Sequence, residues 1–501
     1  MDYVASPQNV NIKTITKSGF SLTASKYKKI VNKSPYQKTL GELLDRKLSS
    51  SSDKGTEVGT VNYISSSPYK FIRTKSLQPT SYIPDINDDS ILSLLPSAFR
   101  DFDLREGDIL ISKDSNIGET AILDRDYPHC MISGGIYKLP ISKRKYYFLA
   151  FAKSGYFKTE LEFLASRGAT IRHAKTLFLD CIIPFPNQSN NEQAVSYVEL
   201  LVQASIDKEK EIRRRHQEII NLIDGELKNN QKPDKFVFKQ PSVGKVVDGK
   251  RMDAGFYGEE FQKIMFLLTN YVGGYGMLDK QGLELIPGPS LEIKLLGTRL
   301  DSNTELDGYY RIVTPKQITN FGTVTAYEYM GTPRQIKTLQ KGDIVFGESG
   351  TGRSFVYLSD HNNTITNAHG HVLRPKECTL DKAITIRCIL AYLKEAGFID
   401  LLTVGGAGGH LSPSYFDRVA IPQFNEDVQA SLKRFYSNEA GQDYLGFASL
   451  DDFSELDGNW NKLVGIVELD DSVKKISREI KRVIEAIISN TPVDIDFTHI
   501  K

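Results

Sequence analysis

The feature that most constrains this chain is an internal repeat. Residues 168–187, GATIRHAKTLFLDCIIPFPN, run without a gap against residues 406–425, GAGGHLSPSYFDRVAIPQFN. Upstream, REGDILISKDSNIGETAIL (105–123) matches KGDIVFGESGTGRSFVYL (341–358) with one residue of gap, and FIRTKSL (71–77) matches RIVTPKQI (311–318). Two runs of the form K-x-L-G-x-x-L, at 38–44 and 294–300, open the series. The register is 235 residues at the paired Gly-Asp-Ile and 238 at the paired Ile-Pro. A period of that length means two copies of a whole domain. A chain of 501 residues is in any case too long for one core.

Within each copy the apolar residues come in short runs bounded by Gly, Asn, Asp and Pro, which is the signature of strands. Helical periodicity appears in KYYFLAFAKSGYFKTELEFLAS and in its counterpart LDKAITIRCILAYLKEAGFIDLL. The expected fold class is α+β, with two repeated mixed α/β domains. Each copy then runs into a helical segment. Ser189 or Asn190 can cap a long helix on which Val198, Ser205, Ile212 and Ile219 recur every seven residues, a seam broken by Lys208 and by EIRRRHQE. After the second copy Ile466, Leu469, Val473, Ile476, Ile480, Val483 and Ile487 fill successive a and d positions. One such stripe fits a helix packed on its own domain equally well; two, one after each repeat, favour a pair forming an antiparallel coiled-coil spacer. The expected boundaries are 1–188 for the first domain, 189–232 for the central helix, 233–424 for the second domain and 425–501 for a C-terminal helical region.

The charge balance excludes a uniformly basic protein but not local basic patches, since the net charge is +1. The four cysteines are scattered without a C-x-x-C, so no zinc site or disulfide framework is expected, and the thiols read as reduced in a cytoplasmic protein. The start of the chain lacks an apolar core segment, so no signal peptide is expected, and no run is long enough to span a bilayer. Gly347, Gly352, Arg353 and Ser354 approach the phosphate-loop pattern G-x-x-x-x-G-K-[ST], but Phe355-Val356-Tyr357-Leu358 read as a strand where that loop needs a helix. His369 and His371 share a face of a strand but lack acidic or cysteine ligands at matching spacing, so no metal is expected. No catalytic constellation is recognisable, which makes this a binding protein by default.

Cations and polar groups cluster at strand connections. In the first copy these are Arg73, Lys75, Lys113, Ser115, Asn116, Arg167, Arg172, His173 and Lys175. In the second they are Arg311 and Lys316, beside Tyr309, then Ser349, Arg353, Asn367, His369 and His410. Such side chains at loop tips pair with phosphates and read base edges, although any single one is more often plain solvated surface.

Repeated domains that each open on K-x-L-G-x-x-L, carry a G-D-I-[LV] strand with a Gly turn, end on Ile-Pro and run into a long helix resemble the specificity (S) subunit of type I restriction-modification systems. RMDAGFYGEEFQKI (251–264), with SGFSLTASKYKKI (18–30) as its weaker partner, is similar to the opening of the family's domains. The resemblance implies two target recognition domains that read a bipartite, gapped double-stranded DNA site. It also implies a helical spacer docking two methyltransferase (M) subunits, with restriction (R) subunits completing the complex. The chain itself would have no catalytic site and no cofactor; S-adenosylmethionine, ATP and Mg would be bound by partner subunits. Segment 425–462 departs from the family pattern, in which the domain passes directly into its helix. Two alternatives stay open: a DNA mimic, inhibitor or assembly protein on the same scaffold, or the specificity factor of another anti-phage defence system. If Arg353 and Arg172 read bases, replacing either by alanine weakens specific binding by about 1 to 3 kcal/mol in a gel-shift titration.

Overall fold

The short apolar runs become strands because each supplies two cores at once. In a computed structural model of the chain, all residues are described except 1–2, 18, 21, 23–26, 87–89, 165–174, 188–189, 349–351, 404–410 and 412. The chain divides into two units. Unit 1 takes Met1–Lys210, Gly441–Lys462 and Asp471–Lys501; unit 2 takes Glu211–Ala440 and Leu463–Asp470.

In unit 1, β1 (Val4–Ala5) pairs with β2 (Lys29–Ile30), and helix α1 (Ile12–Lys17) lies between them in the chain. Strand β3 (Tyr36–Thr39) leads into the single turn α2 (Leu40–Leu43), started by a capping box in which the Glu42 carboxylate accepts from Thr39 N at 2.7 Å. There follow β4 (Tyr63–Ile64), β5 (Lys70–Ile72), β6 (Ile91–Leu94), β7 (Ile109–Ser112), β8 (Thr120–Ile122), β9 (Cys130–Ile132) and β10 (Ile136–Leu139). They make two sheets, in the orders β4-β6-β5-β9 and β10-β7-β8, with β5 and β9 parallel. Helices α3 (Lys145–Ala152) and α4 (Gly155–Leu164) come next, β11 (Ile182–Phe185) pairs with β3, and α5 (Asn191–Asn229) begins. Ile109 and Ile111 of β7 pack into the core that holds Phe148, Phe151 and Phe157, whereas Leu110 joins Ile72 and Ile132 in another. Burial on both faces is why the run is apolar without alternation.

Unit 2 opens with α6 (Val243–Gly249), α7 (Ala254–Tyr257) and α8 (Glu259–Thr269), then β12 (Tyr275–Met277), β13 (Leu283–Ile286) and α9 (Ile293–Leu296). Its remaining strands are β14 (Leu300–Ser302), β15 (Tyr310–Val313), β16 (Glu328–Gly331), β17 (Ile344–Gly347), β18 (Ser354–Val356), β19 (Thr364–Thr366) and β20 (Gly370–Pro375). Helices α10 (Leu380–Glu395) and α11 (Phe398–Leu402), strand β21 (Ala420–Pro422) and helix α12 (Glu426–Tyr436) complete it. The sheets are β14-β16-β15-β19, with β15 and β19 parallel, β13-β20-β17-β18, and the pair β12-β21.

Most pairings of the two topologies correspond, although among the described residues β1–β2 has no counterpart in unit 2 and the β13–β20 pair is reduced in unit 1 to the single bridge Lys54↔Tyr137. Ile72↔Ile132 in unit 1 answers Val313↔Thr366 in unit 2, Ile111↔Thr120 answers Phe346↔Ser354, and Ile183↔Lys38 answers Ile421↔Gly276. The near match to a phosphate loop is therefore the hairpin β17–β18, with a strand where a nucleotide site needs a helix. One part of the repeat reading is corrected. The counterpart of Leu40, whose amide donates to Cys181 O at 2.9 Å, is Leu278, whose amide donates to Val419 O at 2.9 Å. The run at 294–300 falls instead in α9 and the start of β14, so its K-x-L-G-x-x-L form is coincidental.

The helices after the copies meet within unit 1. Helix α5 has 39 residues, about 58 Å at 1.5 Å per residue. Asn190 provides its first turn with a carbonyl that accepts from Ala194 N at 2.9 Å; Ser189 lies outside the described residues. After α13 (Phe453–Leu463) comes α14 (Ile466–Ser489), and its partners on α5 run in the opposite direction. Asn190 Nδ2 donates to Val493 O at 3.0 Å, and Tyr197 OH donates to Glu479 Oε1 at 3.0 Å. Val198, Ile476, Ile480, Val483 and Ile487 share one core, so the pair is antiparallel with the expected seam. In unit 2 Ile212, Ile219, Ile466 and Leu469 are buried, and Val473 of unit 1 is half-buried.

Lys208, which interrupts that seam, is fully buried, and its ammonium donates to Asp457 Oδ2 at 2.6 Å and Asn461 Oδ1 at 2.8 Å. Both acceptors lie one turn apart on α13, and the Trp460 ring lies 5.1 Å from Nζ. Burial pushes the Lys208 ammonium down in pKa and the Asp457 carboxylate opposes it. Segment 425–462 is thus not one added surface: α12 belongs to unit 2, and α13 supplies the counter-charge for the flaw in α5.

Removing one partner of a buried pair leaves an uncompensated charge, so Asp457→Ala should lower unfolding free energy by about 3 to 5 kcal/mol, while Lys208→Met with Asp457→Leu should come close to neutral. Urea titrations followed by fluorescence of Trp460, the chain's only tryptophan, check both. A second prediction concerns pH. Burial raises the Glu160 carboxyl from near 4.5 to about 7, against the hydrogen bond it accepts from Ile182 N at 2.9 Å. Between those values the folded chain keeps a proton that the unfolded chain has released, so stability falls as pH rises from about 4.5 to about 7, by a total on the order of 3 kcal/mol. Glu160→Gln should flatten that part of the stability–pH curve.

Candidate nucleic-acid interface

The parallel pairing of β5 with β9 puts the ends of two strands, far apart in sequence, side by side. Ser133 N donates to Ile72 O at 2.9 Å at that edge. Beyond β5 the chain makes a 3-10 turn, Thr74–Ser76, that sorts its side chains. Ser76 and Leu77 are buried, the former with its hydroxyl donating to Ser90 O at 3.1 Å, while Arg73 and Lys75 stay exposed.

The β7–β8 turn comes to the same place. Lys113 N donates to Gly135 O at 2.8 Å, and Ser112 Oγ donates to Asp114 O at 2.6 Å. Ser115, at φ 59°, and Asn116 are exposed at its tip. The Lys113 ammonium pairs with the neighbouring Asp114 carboxylate. A methyl group on Gly135 would lie 2.8 Å from Thr74 Cγ2 and 3.5 Å from Asp114 Cβ, so only glycine lets the three loops approach this closely. Residues 73–76, 113–116 and 133–135 therefore form one patch, with three cations and one acid.

Unit 2 repeats the arrangement with other side chains. The 3-10 turn Pro315–Gln317 is fixed by the Gln317 side chain, which accepts from Thr314 N at 2.6 Å, and it presents Lys316, exposed and 3.0 Å from Glu328. Glu348 N donates to His369 O at 2.9 Å, the counterpart of the bond from Lys113 to Gly135. Asn367 shapes the third loop: its carbonyl accepts from Gly370 N at 2.9 Å and its side chain from His369 N at 3.2 Å. Where copy one has Lys113, copy two thus has Glu348, which lies 3.4 Å from the buried His371. Burial lowers the His371 pKa while Glu348 opposes that shift. Among the described residues no cluster of His, Cys, Asp and Glu is arranged to hold a metal ion.

The structure brings together Arg73, Lys75, Lys113, Ser115 and Asn116 in one copy, and Lys316, Asn367 and His369 in the other. It places others elsewhere. Arg311 is largely buried, with its guanidinium 4.2 Å from the Tyr327 ring. Arg353 is half-buried and donates from Nη1 to Ile318 O at 3.3 Å, behind the 3-10 turn rather than on its outer face. Its counterpart Glu119 is also buried, 2.7 Å from Lys158. Lys175 is exposed, at φ 47°, before the 3-10 turn Leu177–Asp180. Arg167, Arg172, His173, Ser349 and His410 lie outside the described residues. Thr74, Asp114 and Glu348 were missed by reasoning from cations alone; setting Lys113 opposite Glu348 in the repeat register would have found the last.

Residues 36–215 match the family model described as type I restriction modification DNA specificity domain, from the first residue of β3 into α5. The chain is similar to the type I restriction-modification system S subunit from M. genitalium, at 12% identity and a TM-score of 0.37, covering 93% of this chain and 98% of that one. It is also similar to the HsdS subunit from Thermoanaerobacter tengcongensis, at 13% identity and a TM-score of 0.26, covering 91% and 95%. No curated protein sequence matches the chain.

Of the assembled cations Lys75 and Lys316 are exposed on matching 3-10 turns, and Lys316 has a carboxylate, Glu328, at 3.0 Å. Lys75→Ala should weaken DNA binding across sequences and reduce the slope of log affinity against log salt by about one, measured by fluorescence anisotropy over a potassium chloride series.

Proposed function

We propose that this chain, whose residues 36–215 match the type I restriction modification DNA specificity domain, is a specificity subunit of that family and reads a bipartite, gapped DNA site, one repeat to each half. One observation carries the reading: three loops converge beyond matching strands in both copies, with different side chains on them. A 3-10 turn, a hairpin turn and a third loop at the end of a parallel strand pair offer cations for phosphates and amide, hydroxyl and imidazole groups for base edges.

Strength from phosphate contacts and discrimination from base contacts need no catalytic group, and the proposal gives this chain none. Methyl transfer and cleavage are assigned to partners: two methyltransferase subunits with S-adenosylmethionine, and restriction subunits with ATP and Mg, in the cytoplasm. The antiparallel pair α5–α14 is the natural spacer and docking element. Half-sites one helical turn apart lie about 34 to 36 Å from each other, within the reach of a helix as long as α5. Among the described residues no helix is long and apolar enough to cross a membrane.

A second reading draws on Asp114 and Glu348, acids inside the two patches, which a DNA mimic or an inhibitor on this scaffold would also display. The experiment that separates them is expression with the methyltransferase that co-purifies, followed by mapping of methylated bases on random-sequence DNA. A two-part consensus with a fixed gap is expected; methylation without one, or none at all, rejects the proposal.

A further inference from the structure

Lys153 and Arg387 lie outside the converging loops, yet each grips them from behind. Lys153 directly succeeds the last residue of α3, and its largely buried ammonium donates to Gln78 O and to Thr120 O, both at 2.6 Å. Gln78 lies two residues past the 3-10 turn Thr74–Ser76, and Thr120 opens β8, the far arm of the hairpin. Arg387 comes from the middle of α10 in unit 2 and is fully buried. Its Nε donates to Ser354 O at 3.1 Å and its Nη2 to Asn320 O at 3.0 Å. Ser354 is the counterpart of Thr120, and Asn320 lies three residues past the turn Pro315–Gln317.

Two chemically different cations, one just past α3 and one within α10, therefore bridge the same hairpin carbonyl position to a carbonyl two or three residues past the 3-10 turn. Packing alone does not ask for that. A buried cation carries a desolvation cost that an apolar side chain avoids. Glu119, 3.7 Å away, offsets it for Lys153. Arg387 has the face of Tyr436 at 4.8 Å, and its Nη1 is buried without a hydrogen-bond partner among the described residues. What each cation achieves is to tie the exit of the 3-10 turn to the hairpin, fixing two of the three loops of the patch to one another.

We infer that Lys153 and Arg387 are positioning residues, each locking the recognition loops of its own copy into one register. The inference deepens the proposed function and rests on it. Its test uses the chain with its co-purified methyltransferase, the consensus duplex found by methylation mapping, and duplexes altered in one half only. Lys153→Met should reduce discrimination at one half-site by on the order of ten-fold and leave the other within about two-fold, and Arg387→Met should do the reverse. Lys153→Arg and Arg387→Lys, which keep donors to both carbonyls, should restore it. Should either methionine variant fail to fold, the conservative exchange at that position decides: retained discrimination supports the inference and its loss overturns it. Methionine variants that discriminate like the wild type, or lose both halves equally, overturn the inference while the proposed function stands. A wild-type chain without a two-part consensus overturns both.

Discussion

A single ammonium group governs how the tail of this chain folds. Lys208 lies on the seam of α5, where an apolar residue would continue the stripe, and it is fully buried. A lysine there is tolerable only if something brings acceptors to it. Helix α13 does so with Asp457 and Asn461 on one face and Trp460 between them. The segment that looks like an interruption before α14 is therefore required by a residue some 250 positions earlier. An ion pair of this kind adds little net stability over an apolar contact, but it is intolerant of any other register, because a shift by one helical turn would strand the charge.

The two copies share a frame and differ in private detail. The backbone pairings that both copies possess coincide down to the residue, including the parallel pair that brings distant loops together. The side chains that line the loops, and even the buried cations behind them, do not. Packing density explains the asymmetry: a strand buried on both faces allows few substitutions, whereas loop tips answer to nothing inside the fold.

Much of this was legible in the sequence for a physical reason. Short apolar runs and heptads are local signals, and a gap-free repeat of twenty residues is too specific to misplace. The strand after Ser354 likewise excluded a phosphate loop on β-propensity alone. What stayed hidden is non-local. That Arg353 turns inward to Ile318 O and Arg311 stacks on Tyr327 depends on which strands become neighbours, and composition at a turn does not encode it. The partner of Lys208 was invisible for the same reason. The K-x-L-G-x-x-L run at 294–300 misled because a degenerate motif can recur by chance, and only the pairing of β12 with β21 supplies the true register.

The exchange of Lys113 for Glu348 at matched positions has a consequence of its own. If these loops read DNA as proposed, two heads with one architecture and opposite charge at a matched loop position are not interchangeable on a duplex. A scaffold built by duplication is thereby given a front and a back. On that reading, whatever assembles around the chain would inherit the polarity and distinguish one direction along DNA from the other.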